Sequence, residues 1–201
     1  MRFNMESPVF RFLETLADFV LLNLIFLITC IPIVTTGAAL SALFSVTMRE
    51  AREEHGYIIR PYLKAFRENL ISGICLTVLY IGIGAVFAFN LVFWMQSGTL
   101  FGNISLAVLV LCTILYLISS FYVFALNARF ENTLRQTIKN SVLIALTNPA
   151  QTAIIVLIFI AACTIMYVSP SFRAFLLIFG FAFLAYCISF PLVKVFKKYE
   201  A

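Results

Sequence analysis

Six apolar runs separated by short polar segments constrain this chain more than any other feature. Five of them have about 20 residues or more, the length that an α-helix needs to cross a hydrocarbon core roughly 30 Å thick. The composition is 63% hydrophobic and 11% charged, whereas soluble domains carry about 25% charged residues. A soluble domain of this length has too small an interior for so much apolar surface. The sequence therefore predicts a polytopic membrane protein.

The runs predict one all-α integral membrane domain over residues 1–201, with about six helices. Five are clear spans. The remaining one, residues 36–52, has only a short apolar part and covers roughly 20 Å at 1.5 Å per residue. It is therefore either a short span or a re-entrant helix. The predicted spans are residues 12–34, 36–52, 70–96, 104–127, 150–169 and 172–196.

Basic residues predict the orientation, because cytoplasmic loops of membrane proteins carry an excess of Lys and Arg. They cluster between the second and third runs, between the fourth and fifth, and at the C-terminus, while the opposite loops hold only Arg173. If residues 36–52 cross, Arg2 and Arg11 are cytoplasmic too; if that segment is re-entrant, they lie outside. The charge distribution favours the first arrangement, in which the protein lies in the cell membrane and both termini face the cytoplasm.

Two polar segments, residues 57–69 and 130–146, have apolar residues about every four positions and lead directly into spanning runs. This spacing predicts amphipathic helices on the inner membrane surface, with the apolar side toward the bilayer and the basic side toward anionic headgroups. The residues predicted to form a surface for lipid or a protein partner are Arg60, Lys64, Phe66, Arg67, Asn69, Arg135 and Lys139.

The stretch CIPIVTTGAALSAL, residues 30–43, interrupts the first apolar region. We expect Pro32 to end the first helix near the outer surface, and Thr35 or Thr36 to cap the next helix. Gly37, Ser41 and Ser45 recur every four residues, a spacing at which small side chains let another helix approach closely. The pattern predicts a tight helical hairpin. A helix start can also bind an anion, but the capped turn is the favoured interpretation.

Asn23 is the one deep polar residue of the first run. The two interpretations left open are a structural hydrogen bond between helices and a functional contact. Elsewhere, charged residues are absent from the middles of runs three to five, and a coupled carrier usually needs such groups.

Signatures of catalysis are absent from the sequence. The single histidine, His55, has no ligand-type companions at metal-binding spacing. The five cysteines lie in apolar runs without a CxxC pair, which is typical of buried small side chains. We therefore expect no catalytic residues, no metal and no cofactor. The net charge of +5 follows from membrane topology, so we expect no nucleic-acid partner.

The segment LNLIFLITCIPIVTTGAALSAL, residues 22–43, closely resembles the hallmark of the YesL-like family of bacterial integral membrane proteins, the domain of unknown function 624. YLKAFRENL and LRQTIKNSVLIALTNP are similar to further elements of that family. Phe26 stands in a region where the family often has Trp. The resemblance implies a bacterial membrane protein, often encoded near ABC-type carbohydrate uptake systems, and it implies no reaction or ligand.

These observations lead to two functional hypotheses. The first is a non-catalytic accessory membrane protein linked to carbohydrate uptake or utilisation, whose partners are anionic headgroups and an ABC-type sugar permease. The alternative is a small channel or carrier for a neutral or amphipathic solute. The oligomeric state, the solute and the sugar pathway stay open.

Overall fold

The computed structural model describes residues 8–54, 56–169, 172 and 175–199, so Arg2, His55 and Arg173 lie outside the described residues. The described part of the chain is all-helical without a strand, which confirms the predicted fold class. Its eight α-helices are α1 (Pro8–Thr29), α2 (Thr36–Glu50), α3 (Ile59–Glu68), α4 (Leu70–Met95), α5 (Leu100–Arg129), α6 (Leu134–Thr147), α7 (Pro149–Val168) and α8 (Phe181–Phe196).

Within the described residues, four helical segments are long and apolar enough to cross a membrane: α4, α5, α7 and Leu177–Phe196, which contains α8. They correspond to the last four predicted spans. In α1, the stretch Thr15–Thr29 forms a shorter apolar helix. A 3₁₀ turn, Ile33–Thr35, joins α1 to α2. A π-helical turn, Leu176–Gly180, leads into α8.

The helix ends define two ends of the bundle. At one of them α5 and α8 finish side by side, with the rings of Phe130 and Phe196 in edge contact. There α7 begins as well, and Lys198 donates a hydrogen bond to Asn148. We call this the basic end, because Lys and Arg cluster there. At the other end, which we call the far end, residues 96–99 connect α4 to α5.

The helix α2 stays in the basic half of the bundle. Its start at Gly37 lies against Phe124, and Arg49 and Arg52 share a pocket with Arg129 at the end of α5. Five residues of α5 correspond to about 7.5 Å along the bundle, whereas 15 residues of α2 extend for about 22 Å. The helix α2 therefore runs across the bundle rather than along it, and the choice between a short span and a re-entrant helix for residues 36–52 stays a prediction.

The turn before α2 also lies toward the basic end. Thr29, the last residue of α1, has its hydroxyl 2.6 Å from that of Tyr62 in α3, and Gly37 contacts Gly73 near the start of α4. The turn thus lies in the same half of the bundle as the start of α4, and the expectation that Pro32 ends the first helix near the outer surface stays a prediction. In sequence, a helix folded back within one leaflet has the same local turn as a transmembrane hairpin.

The short helices α3 and α6 pack against protein as well as lying at the basic end. The buried residues of α3 are Tyr62 and Ala65, which face α2. Those of α6 include Thr137 and Ser141 on the side toward α5. Burial raises the pKa of Tyr62, so its phenol stays protonated. The predicted apolar positions are buried or half-buried, while Leu63 of α3 and Leu143 and Leu146 of α6 stay exposed.

Candidate functional site

The helices α2 and α4 approach each other closely where α2 begins. A Cβ added to Gly37 would collide with Thr77 and with the carbonyl oxygen of Gly73, and one added to Gly73 would collide with the backbone of Ala38. Ala38 is fully buried. Small residues at both sides let the two backbones touch, as glycines do in membrane helix pairs. The expected close packing of Gly37 is present, and its partner is α4.

The first turn of α2 is capped by another helix. The amide of Gly37 donates a hydrogen bond of 2.9 Å to the Thr77 hydroxyl, which in turn donates to the carbonyl of Gly73. Free amides at a helix start are costly inside a bilayer because water is absent. The expectation that Thr35 or Thr36 caps α2 is wrong, since neither side chain makes a capping bond.

The two threonines before α2 instead close the turn. The Thr35 hydroxyl donates to the carbonyls of Thr29 and Pro32, both at 2.7 Å. The Thr36 hydroxyl donates to the carbonyl of Ile33, also at 2.7 Å. The carbonyls of Pro32 and Ile33 also accept from the amides of Thr35 and Thr36, so the hydroxyls add further hydrogen bonds within the turn. The sequence identified the turn residues. It could not show that their hydroxyls bond within the turn rather than cap α2, because the cap comes from Thr77 of α4.

Asn23 holds the start of α8 in place. It is fully buried, its amide nitrogen donates to the carbonyl of Leu177 at 2.8 Å, and its amide oxygen accepts from the amide of Ala182 at 3.0 Å. These two backbone groups are five residues apart. Leu177 lies in the π-helical turn and Ala182 just beyond it, where the regular series of helical hydrogen bonds is interrupted. The geometry therefore supports the structural interpretation of Asn23 over the functional one.

A second polar contact joins three helices at the basic end. Asn127 of α5 donates to the Ser41 hydroxyl of α2 and to the side-chain oxygen of Asn69, both at 3.0 Å. Asn69 sits at the corner between α3 and α4 and also donates to the carbonyl of Ala65. Asn69 was expected on a partner surface, yet here it fixes the corner. Ser41 is fully buried as well, whereas Ser45 is half-buried.

An apolar cavity of about 700 Å³ lies on one face of α2, between that helix and α1, α5, α7 and α8. The hydroxyls of Thr36 and Ser120 on its wall are bonded to backbone carbonyls of their own helical turns. Leu117 and Phe159 on the same wall are exposed, so the cavity opens sideways toward lipid. Among its described lining residues it offers hydrocarbon surface and no unpaired hydroxyl.

A smaller pocket of about 310 Å³ lies near the opposite face of α2, at the basic end. Because each helical residue turns the chain by about 100°, the residues of α2 that line the two cavities point in roughly opposite directions. The pocket therefore faces away from the apolar cavity. Most of its lining residues are polar. Its wall is formed by Ser45, Met48, Arg49, Arg52, Ala128 and Arg129. Sequence reasoning used these arginines for topology only.

The predicted partner surface divides into two groups. Its basic side chains are all exposed at the basic end: Arg60, Lys64, Arg67, Arg135 and Lys139. Phe66 is half-buried and stacks on Tyr62, with ring centroids 6.5 Å apart. Lys64 forms an exposed ion pair with Glu68 at 3.8 Å, and such pairs stabilise little. The surface is thus basic, and its apolar and amide members serve packing.

Comparison with known proteins gives one match. Residues 19–91 match the family described as "Protein of unknown function, DUF624", which confirms the predicted YesL-like resemblance. The matched region runs from α1 into α4 and contains the turn, α2 and α3, whereas the similar segment around α6 lies outside it. No curated protein and no solved structure matches the chain.

Replacing Thr77 with Val should destabilise the protein by about 1 kcal/mol, because the Gly37 amide loses its acceptor within the membrane. Thermal unfolding in detergent should show a midpoint lower by about 2–4 °C. Thr77→Ser, which keeps the hydroxyl, should recover most of the loss. Thr113→Val is the matched control, since Thr113 donates only within its own helix. Equal midpoints for Thr77→Val and Thr113→Val would contradict the cross-helix cap.

Replacing Asn23 with Leu should cost about 2 kcal/mol or more, because two backbone groups at the π-helical turn lose their partners. The free energy of unfolding in mixed micelles measures this. Asn90→Leu provides the control, since the Asn90 amide is exposed and donates to Val86 of its own helix. An Asn23→Leu protein as stable as the Asn90→Leu protein would rule out the structural role.

Proposed function

We propose that this protein, which carries the DUF624 match over residues 19–91, is a non-catalytic accessory protein of the bacterial cell membrane. Its basic end binds a partner of the carbohydrate uptake machinery, with an ABC-type permease as the proposed partner. One observation carries the proposal: exposed basic side chains lie on both α3 and α6, two helices that pack against α2 and α5 of the bundle. The carbohydrate link rests on the family resemblance alone.

The rigidity of this surface supports binding to a protein. Tyr62 is fully buried and its hydroxyl lies 2.6 Å from that of Thr29, so α3 is attached to α1 as well as to α2. In α6, Thr133 and Gln136 form a capping box. Fixed helices present charges in one arrangement, and a preorganised surface loses less entropy on binding. Electrostatic complementarity of this kind contributes to specificity and association rate.

We further propose that the basic end lies in the cytoplasm, in keeping with the excess of Lys and Arg there. The C-terminus is then cytoplasmic. We also propose that α2 is re-entrant and does not cross the membrane. A single crossing by α1, whose 22 residues extend for about 33 Å, then places the N-terminus outside. This is the re-entrant alternative, and it differs from the favoured expectation of a cytoplasmic N-terminus.

The second candidate is a carrier for an amphipathic solute, and the apolar cavity beside α2 is the observation that favours it. The cavity is large enough for a hydrocarbon moiety and opens toward lipid. Against a channel for polar solutes stands the position of α2, which lies between the apolar cavity and the polar pocket at the basic end. The accessory function is therefore preferred.

Affinity purification from native membranes in mild detergent tests the accessory function. The intact protein should bring down a permease or another sugar-linked membrane protein in constant ratio. The double variant Arg67→Glu and Lys139→Glu should lower the amount of recovered partner by about tenfold. The two new negative charges repel a partner surface that is complementary to the basic end. Lys197→Glu reverses an exposed charge at the same end but outside α3 and α6 and should leave recovery unchanged.

Recovery of no sugar-linked protein, or equal loss with Lys197→Glu, would contradict the proposal. Thermal unfolding of each variant distinguishes a damaged surface from a damaged fold. The carrier hypothesis has its own readout, which is flux of an amphipathic solute into proteoliposomes. Leu117→Trp, which fills the cavity mouth, should abolish such flux without changing partner recovery.

A further inference from the structure

The polar pocket at the basic end contains more positive charge than helix stability requires. Three guanidinium groups, those of Arg49, Arg52 and Arg129, line a concave space of about 310 Å³. Arg49 and Arg52 lie in and just beyond the last turn of α2, where a cation interacts favourably with the helix dipole. One such residue satisfies that requirement. Three around one cavity indicate a site for an anion.

A carboxylate of the chain itself lies at this site. Glu54 is 3.3 Å from Arg52 and 3.8 Å from Arg49, measured from carboxylate oxygen to Nε. Charge-assisted contacts between such groups are usually about 2.7–2.9 Å. Glu54 thus spans two guanidinium groups without closing tightly on either. Arg129 also has an interaction with a neighbouring group, so an incoming anion competes with existing contacts.

The backbone is bent to bring Glu54 to this position. Glu53 has φ of 63°, in the left-handed region that a residue with a side chain seldom occupies, because its Cβ then crowds the following carbonyl oxygen. The amide of Glu54 then donates back to the carbonyl of Arg49 at 3.1 Å. Glycine is the usual residue at such a helix end. The backbone at Glu53 is therefore strained, and its conformation places the carboxylate of the next residue, Glu54, between two arginines.

We infer that this pocket binds a phosphoryl group, and that Glu54 is the resident anion which the phosphoryl group replaces. A phosphoryl group has more acceptor oxygens than a carboxylate and can engage several guanidinium groups in the forked geometry that arginine provides. The C-terminal ends of α2 and α5 carry partial negative charge toward the pocket, which weakens the attraction for an anion. Three arginines are enough to offset this effect and still bind the phosphoryl group. The Ser45 hydroxyl on the wall can donate one more hydrogen bond.

The phosphoryl group can belong to a phospholipid headgroup or to a soluble phosphate compound, and two measurements distinguish them. In the first, inorganic phosphate is added to the purified full chain in neutral detergent, with chloride at equal ionic strength as reference, and thermal unfolding is followed. In the second, the chain is placed in nanodiscs of phosphatidylglycerol or of phosphatidylcholine, whose choline cation neutralises the charge of its phosphoryl group. Stabilisation by phosphate indicates a soluble ligand, and stabilisation by phosphatidylglycerol alone indicates a headgroup; either result supports the site.

Two substitutions test the residues. Arg52→Gln should weaken apparent binding of the effective probe by about tenfold, as expected for loss of one charge-assisted contact. Glu54→Gln should strengthen binding several-fold, because the competing carboxylate is gone. The matched controls are Lys197→Gln and Glu68→Gln, which remove one charge of each sign from exposed positions at the basic end and should leave binding unchanged.

Glu54→Gln keeps the inference falsifiable if Arg52→Gln fails to fold. The inference is overturned if neither probe stabilises the protein beyond its chloride or phosphatidylcholine reference. It is also overturned if Glu54→Gln binds no more tightly than Glu68→Gln, or if Arg52→Gln binds as well as Lys197→Gln.

Discussion

The contact between Gly37 and Gly73 is the constraint on which the rest of the structure depends. It allows the start of α2 to lie directly on α4, where Thr77 accepts the hydrogen bond of the Gly37 amide at 2.9 Å. Inside a bilayer a helix can begin only where its free amides find partners in the protein. This single contact therefore permits α2 to start within the membrane and to run across the basic half of the bundle.

The position of α2 determines what surrounds it. At its other end the Thr47 hydroxyl lies 2.8 Å from that of Ser189 in α8, and both are fully buried. Between these ends α2 separates an apolar cavity open to lipid from a pocket lined by arginines. A helix with small residues on one side and large apolar residues on the other can form this partition, which a uniformly bulky helix could not.

Much of the fold could be predicted from the sequence, because apolar length and helix punctuation are local properties. The amphipathic period of α3 and α6 and the turn at Pro32 were visible in the same way. The location of that turn was not, since it depends on Gly73 and Thr77 about 40 residues later. Those two residues repeat the four-residue spacing of small side chains seen in α2, and that similarity was the available signal.

The candidate site shows the same limit. The basic residues of α3 and α6 were predicted to be a surface, whereas Asn69 proved to bond with Asn127. The arginine pocket escaped prediction because Arg49, Arg52 and Arg129 come from two helix ends that only the fold brings together. Asn23 stood out as a deep polar residue, but its partners in the π-helical turn have apolar side chains and carry no sequence signal.

The central claim is that α2 remains in one leaflet, and the depth of spin labels at its two ends tests it most directly. Labels on cysteines introduced at Val34 and Glu54, with one at Ser97 as a far-end reference, are compared by their accessibility to oxygen and to a polar nickel complex in bilayers. The account predicts that Val34 and Glu54 lie toward the same surface, within about 10 Å of each other in depth. A Val34 label at the depth and surface of the Ser97 label would contradict it.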